Sequence, residues 1–146
     1  MIEYIENNAS GSQIFFTDTA INSTLNAFSY IKKLCEKSLF TYDGYISAVK
    51  KWIDKTYQIP IYIDERQGFL PTMRVRDYEN MWINMFAIYD IEQEKEGINI
   101  LFISGRRLYI NYSMKRFKKQ MELLMKIKSL KVNIFISNHI EMYRNK

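Results

Sequence analysis

Met114, Phe117, Met121, Leu124, Ile127 and Leu130 recur every three or four residues, the spacing that lines one side of an α-helix. Ser113 stands where an N-cap belongs, and the lysines in between fall mostly on the opposite side. A helix divided this way has one apolar face to cover, so the rest of the chain must supply a surface for it. With 11 Tyr, 9 Phe and 2 Trp against five Gly and two Pro, that surface is expected to be a sheet, because aromatic side chains pack well on pleated faces. A length of 146 residues fits one domain, 1–146, with a core of its own and little room for linkers.

The remaining elements follow from changes of period. "QIFFTD" has strand composition after the polar loop "NNASGS". Leu25, Phe28, Ile31, Leu34 and Cys35 predict a helix over 22–39, capped by Asn22 or Ser23, with Cys35 buried. "YDGY" (42–45) reads as a turn, and "ISAVKKWIDK" as a short helix that carries Trp52 inward. "IPIYIDE" alternates as a strand entered through Pro60. "FLPTM" is its extended partner, "MWINMFAIY" a longer central strand, and "INILFIS" with "RRLYINY" a hairpin turning at Gly105. "KVNIFIS" is a last strand candidate. The fold class expected is α+β: an antiparallel sheet running from "IPIYID" to "RRLYINY", covered by helices at 22–39 and 114–130.

Charge is placed unevenly. The formal net charge is +5, yet Met114–Lys131 holds seven basic residues against one acid, Glu122. Such asymmetry points to phosphate or to an acidic surface. One cysteine excludes an internal disulfide framework, and no apolar run approaches the roughly 18 residues of a membrane span. With no basic and apolar leader at the N-terminus, the expected location is the cytoplasm, with no membrane partner.

In order along the chain come Cys35, "YDG" (Tyr42, Gly44), "IPIYID" (Pro60, Ile61, Asp64), "FLPT" (Pro71, Thr72), "NMWINM" (Trp82, Ile83, Asn84) and then Ser113, Phe117 and Gln120. This succession, over about 25–122, resembles the ComK family of competence transcription factors. The resemblance implies a transcriptional activator that binds AT-rich double-stranded DNA as a homo-oligomer, chiefly through the minor groove. The chain departs from the family pattern in its short N-terminal region, its strongly basic helix start and its short tail.

The candidate contacts divide by chemistry. Arg106 and Arg107, on a protruding turn, suit the narrow minor groove of AT-rich DNA, where negative potential is concentrated. Lys115, Arg116, Lys118, Lys119 and Lys126, on the polar side of the 114–130 helix, suit sequence-independent phosphate contact. Arg74 and Arg76 in the loop "MRVRDYEN" are secondary contacts, with Asp77 and Glu79 as competing partners. Trp52 and Trp82 are expected in the core. Catalysis has one foothold, Asp64 and Glu65 after a strand as a Mg²⁺ pair, without the lysine a nuclease needs nearby. No enzyme activity, cofactor or metal is expected. A rival reading of the same basic face is a small protein-binding inhibitor or adaptor, possibly from a mobile element, and co-purification with nucleic acid or with a protein separates the two.

Overall fold

The computed structural model describes residues 1–55 and 57–144, with side-chain surroundings through 133. Among the described residues nine strands form two antiparallel sheets. The larger has the order β3-β2-β1-β6-β5-β4, from β1 (Ile2–Asn8), β2 (Gly11–Phe16), β3 (Ala20–Ser23), β4 (Ile61–Asp64), β5 (Gln67–Pro71) and β6 (Trp82–Asn84). The smaller is a meander of β7 (Ile88–Gln93), β8 (Ile98–Phe102) and β9 (Arg107–Ile110). Three helices, α1 (Ala27–Lys37), α2 (Tyr42–Trp52) and α3 (Met114–Arg144), complete an α+β domain.

The larger sheet sorts its side chains by alternation. Ile5, Ile61, Ile63, Phe69 and Trp82 face α1 in one core, which also takes in Ile31 and Cys35. Tyr4, Tyr62, Leu70 and Ile83 face the other way, into a core shared with the meander and with Phe117, Leu124 and Ile127 of α3. The α3 stripe therefore covers the sheet as its spacing predicts. Gly68 marks the closest approach: a Cβ there would sit 2.7 Å from Leu124 Cδ2 and from Phe86 Cε2. Burial pushes the Cys35 thiol up to about 11, so it stays protonated and packs as a small apolar group.

Several expectations need correction. The sheet does not begin at "IPIYID": the segment before residue 24 supplies half of the larger sheet, and β7–β9 form a second one. The 22–39 helix begins at Ala27, because Asn22 and Ser23 pair with Gln13 and Ser12 in the β2–β3 ladder. Its N-cap is Asn26, whose Oδ1 accepts from Ser29 N at 2.8 Å. "YDGY" opens α2 rather than preceding it, with Thr41 Oγ1 accepting from Gly44 N. Tyr45 docks that helix on β4 by donating to Pro60 O and accepting from Tyr62 N. Val49 and Ile53 take the buried side of α2, leaving Trp52 60% exposed at its end.

The long strand expected over 81–89 is broken at 85–87 by a 3₁₀ turn. Asn84 Oδ1 accepts from Phe86 N, the local competition by which asparagine diverts a strand, and the chain turns here from the larger sheet to the smaller. "KVNIFIS" is not a strand. After Gly105 the chain has no Gly or Pro, and extending an established helix costs less than nucleating a new element, so α3 continues through it.

Candidate nucleic-acid interface

The structure separates basic residues that the sequence placed side by side. Strand β9 carries the chain from the Gly105 turn toward α3, so Arg107 and the approach to the helix stand at opposite ends of a strand about 10 Å long. Gly105 takes φ +93° at that turn.

Arg106 is committed internally, which corrects its assignment as a projecting arginine. Its Nε donates to Glu3 Oε1 at 2.8 Å and Nη2 to Phe16 O at 3.2 Å, while the guanidinium lies 5.0 Å from the centre of the Phe15 ring. Glu3 is fully buried and the Arg106 side chain 30% exposed. Arg106 thus pins the β8–β9 turn to the larger sheet. Arg106→Met, which strands a buried carboxylate, is expected to cost roughly 2 kcal/mol, seen as a lowered urea midpoint at constant m. Restoring stability by adding Glu3→Leu to Arg106→Met would identify the pair itself as the cause. Arg107, next in line, is exposed. Its outward row on the meander continues through Leu101 to Asp90, two strands or about 10 Å away.

At the start of α3, Ser113 Oγ accepts from Arg116 N, the capping bond expected, and the first turn holds no acid. Lys115 and Arg116 therefore oppose the helix dipole by some tenths of a kcal/mol each. From this turn the cations diverge. Lys115 and Lys118 border a recess shared with Glu94 and Glu96 of the β7–β8 turn, which offset their field. Lys126 is exposed further along α3. Lys128 and Lys131 lie over the rings of Phe86 and Phe40.

Arg116 and Lys119 turn the other way, into a basic groove that sequence order hides. Its first part holds Lys55, Arg116 and Lys119 around Tyr57 and Gln58. Tyr57 and Gln58 also line the second part, which adds Lys50 of α2 with Arg74 and Arg76. Val75, Arg76 and Asp77 continue into the third, which ends at Lys32 of α1. Seven cations line these three adjoining recesses, and Asp77 is the one acid among their lining residues. Among the described residues the one ion pair is Arg106–Glu3, so Asp77 and Glu79 do not pair with Arg74 or Arg76. Lys32 and Arg76 instead share the Phe28 ring, at 4.5 and 5.2 Å from its centre.

The loop that presents Arg74 and Arg76 is closed by the pair read from "FLPT". Asn80 Oδ1 accepts from Thr72 N and Met73 N, and Thr72 Oγ1 accepts from Met81 N. Lys32, Lys50 and Lys55 were not singled out in the sequence, because each is one lysine on a separate element. Asp64 is occupied by the β4–β5 turn, accepting from Arg66 N and Gln67 Nε2. Trp82 is buried as expected, whereas Trp52 is not.

A family model described as ComK protein matches residues 1–134, nearly the whole chain. The chain belongs to the ComK family. Comparisons with curated proteins and with solved structures returned no match. The family match extends the resemblance over 25–122 to both sides and takes in β1–β3, whose strands build half of the larger sheet. ComK membership gives the chain the character of a transcription factor. No helix among the described residues is long and apolar enough to cross a membrane.

Proposed function

We propose that this member of the ComK family is a DNA-binding transcription regulator that holds duplex DNA by its phosphates along the groove from Lys32 to Lys119. One observation carries the reading: seven cations from α1, α2, α3 and two loops converge on one track where none is neutralised by an ion pair. Converging cations repel one another, and a polyanion removes that cost while releasing its own counterions. Lys115, Lys118 and Lys126 add contacts outside the groove. Arg107, set on a turn that Arg106 anchors, supplies the minor-groove contact that favours AT-rich sequence. Self-association belongs to this reading and is measured by light scattering with and without duplex.

The test is fluorescence anisotropy with AT-rich and GC-rich duplexes across a salt series. The affinity is expected to fall steeply with salt, by about 0.9 in the log–log slope for each phosphate engaged. Arg107→Ala is expected to erase the AT preference while changing the slope by no more than one such unit. Absence of duplex binding at low salt overturns the proposal. A second reading, an adaptor acting on another protein, is favoured by an apolar cleft between α2 and α3 bordered by Tyr45, Trp52, Ile53, Ile127 and Leu130. A stoichiometric protein complex lost in Trp52→Ser, in a chain that binds no duplex, would make it the working model.

A further inference from the structure

We infer that Lys55, Arg116 and Lys119 form a discrete pocket for a single phosphate group at the α3 end of the groove, a proposal that rests on the groove reading only for the source of that phosphate. The pocket is scaffolded before any ligand arrives. Gln120, 3% exposed, accepts from Lys55 Nζ at 3.1 Å through Oε1 and donates to Gln58 O at 2.9 Å through Nε2. Arg116 donates to Gln58 Oε1 at 3.4 Å and its guanidinium lies 4.9 Å from the centre of the Tyr112 ring. Lys55 is therefore held by one bond and Arg116 by one bond and a ring contact, while two N–H of the Lys55 ammonium and four of the Arg116 fork are left for a ligand.

Two further features mark a built site. Gln58 takes φ +51°, a left-handed conformation that costs a non-glycine residue about 1 kcal/mol, and the bonds from Gln120 and Arg116 hold it there. The Lys55 ammonium is shifted down, first by burial and then by Arg116, so the two cations already act on each other without an intervening acid. The space they border, about 140 Å³, holds several waters at about 30 Å³ each and suits a tetrahedral oxyanion with part of its hydration. The planar fork of Arg116 and the two ammonium groups of Lys55 and Lys119 offer it charge-assisted bonds.

The experiment is a titration of the full chain with inorganic phosphate at constant ionic strength, followed by backbone ¹H–¹⁵N shifts. Saturable shifts confined to 55–58 and 112–120 are expected. Lys55→Met and Arg116→Gln should each weaken the apparent affinity on the order of tenfold, the loss of one charge-assisted bond, while Lys37→Met at the exposed end of α1 leaves it unchanged. Should Lys55→Met fail to fold, Lys119→Met at an exposed position serves instead. A drift that does not saturate, or that chloride reproduces, overturns the pocket, as does an unchanged affinity in these variants.

Duplex binding then names the source. If Lys55→Met also weakens the duplex and lowers its salt slope by about one unit, the phosphate is a backbone phosphate. If phosphate saturates and the duplex is indifferent to Lys55→Met, a free phosphorylated small molecule occupies the pocket, which a nucleoside monophosphate in the same titration confirms. Normal duplex binding without phosphate saturation sinks the pocket alone. Phosphate saturation without any duplex binding sinks the groove reading and leaves the pocket standing.

Discussion

Asn84→Leu is expected to lower the stability by roughly 4 kcal/mol, which for a chain of this length moves Tm down by about 10 °C. The substitution keeps nearly the same volume, so little of the loss comes from a cavity. What disappears is a set of four bonds at the junction of three strands. Asn84 Oδ1 accepts from Gly68 N and Phe86 N, and Nδ2 donates to Ile2 O and Arg66 O. The side chain has no exposure, so water cannot take over all four partners, and each orphaned buried group costs about 1–3 kcal/mol. Chemical denaturation should show a lower midpoint at unchanged m. A loss under about 1 kcal/mol would mean that the surrounding strands rearrange to satisfy one another. DNA affinity of the folded fraction should be unaffected, since Asn84 lies away from the groove.

The double substitution Arg74→Ala with Arg116→Ala is expected to weaken binding about 100-fold to AT-rich and GC-rich duplexes alike. Two charge-assisted contacts at about 1.4 kcal/mol each give that factor, and the salt slope should fall by nearly two units. Both residues are exposed and neither takes part in an ion pair, so the stability loss should stay within about 1 kcal/mol, from the Arg116 contacts with Gln58 and Tyr112. The selective outcome would contradict the groove: a loss confined to AT-rich duplexes would make these arginines readers of sequence. Lys115→Ala with Lys118→Ala, next to Glu94 and Glu96, should lose several-fold less.

The sequence shows local structure where local patterns determine it. The α3 stripe, the Pro60 strand entry and the hairpin around Gly105 are each read within a few residues and each is found. It conceals what depends on distant partners. In "IEYIE" the strand β1 looks short and half charged, because Glu3 becomes tolerable in the core only through Arg106, far along the chain. The break in "MWINMFAIY" is carried by one side-chain bond from Asn84, which no hydrophobic period reveals. Arg74, Arg76, Arg116 and Lys119 are visible as clustered charge, but their assembly with Lys32, Lys50 and Lys55 is a property of how α1 and α2 sit beside α3. Conversely, adjacency of Arg106 and Arg107 to the basic helix suggested one patch where the extended strand β9 makes two.

Strand β1 sits in the middle of the larger sheet, between β2 and β6, and reaches Asn84 and Arg106 through Ile2 and Glu3. On a ribosome, where synthesis runs at about 5–20 residues per second, the interval between making Glu3 and making Arg106 is about 5 to 20 s. Until Trp82–Asn84 are made β1 can pair with β2 but keeps its other edge open, and its Glu3 carboxylate stays unmatched for the whole interval. Completion of the domain therefore waits for most of the chain, the signature of a slow folder dependent on non-local pairing.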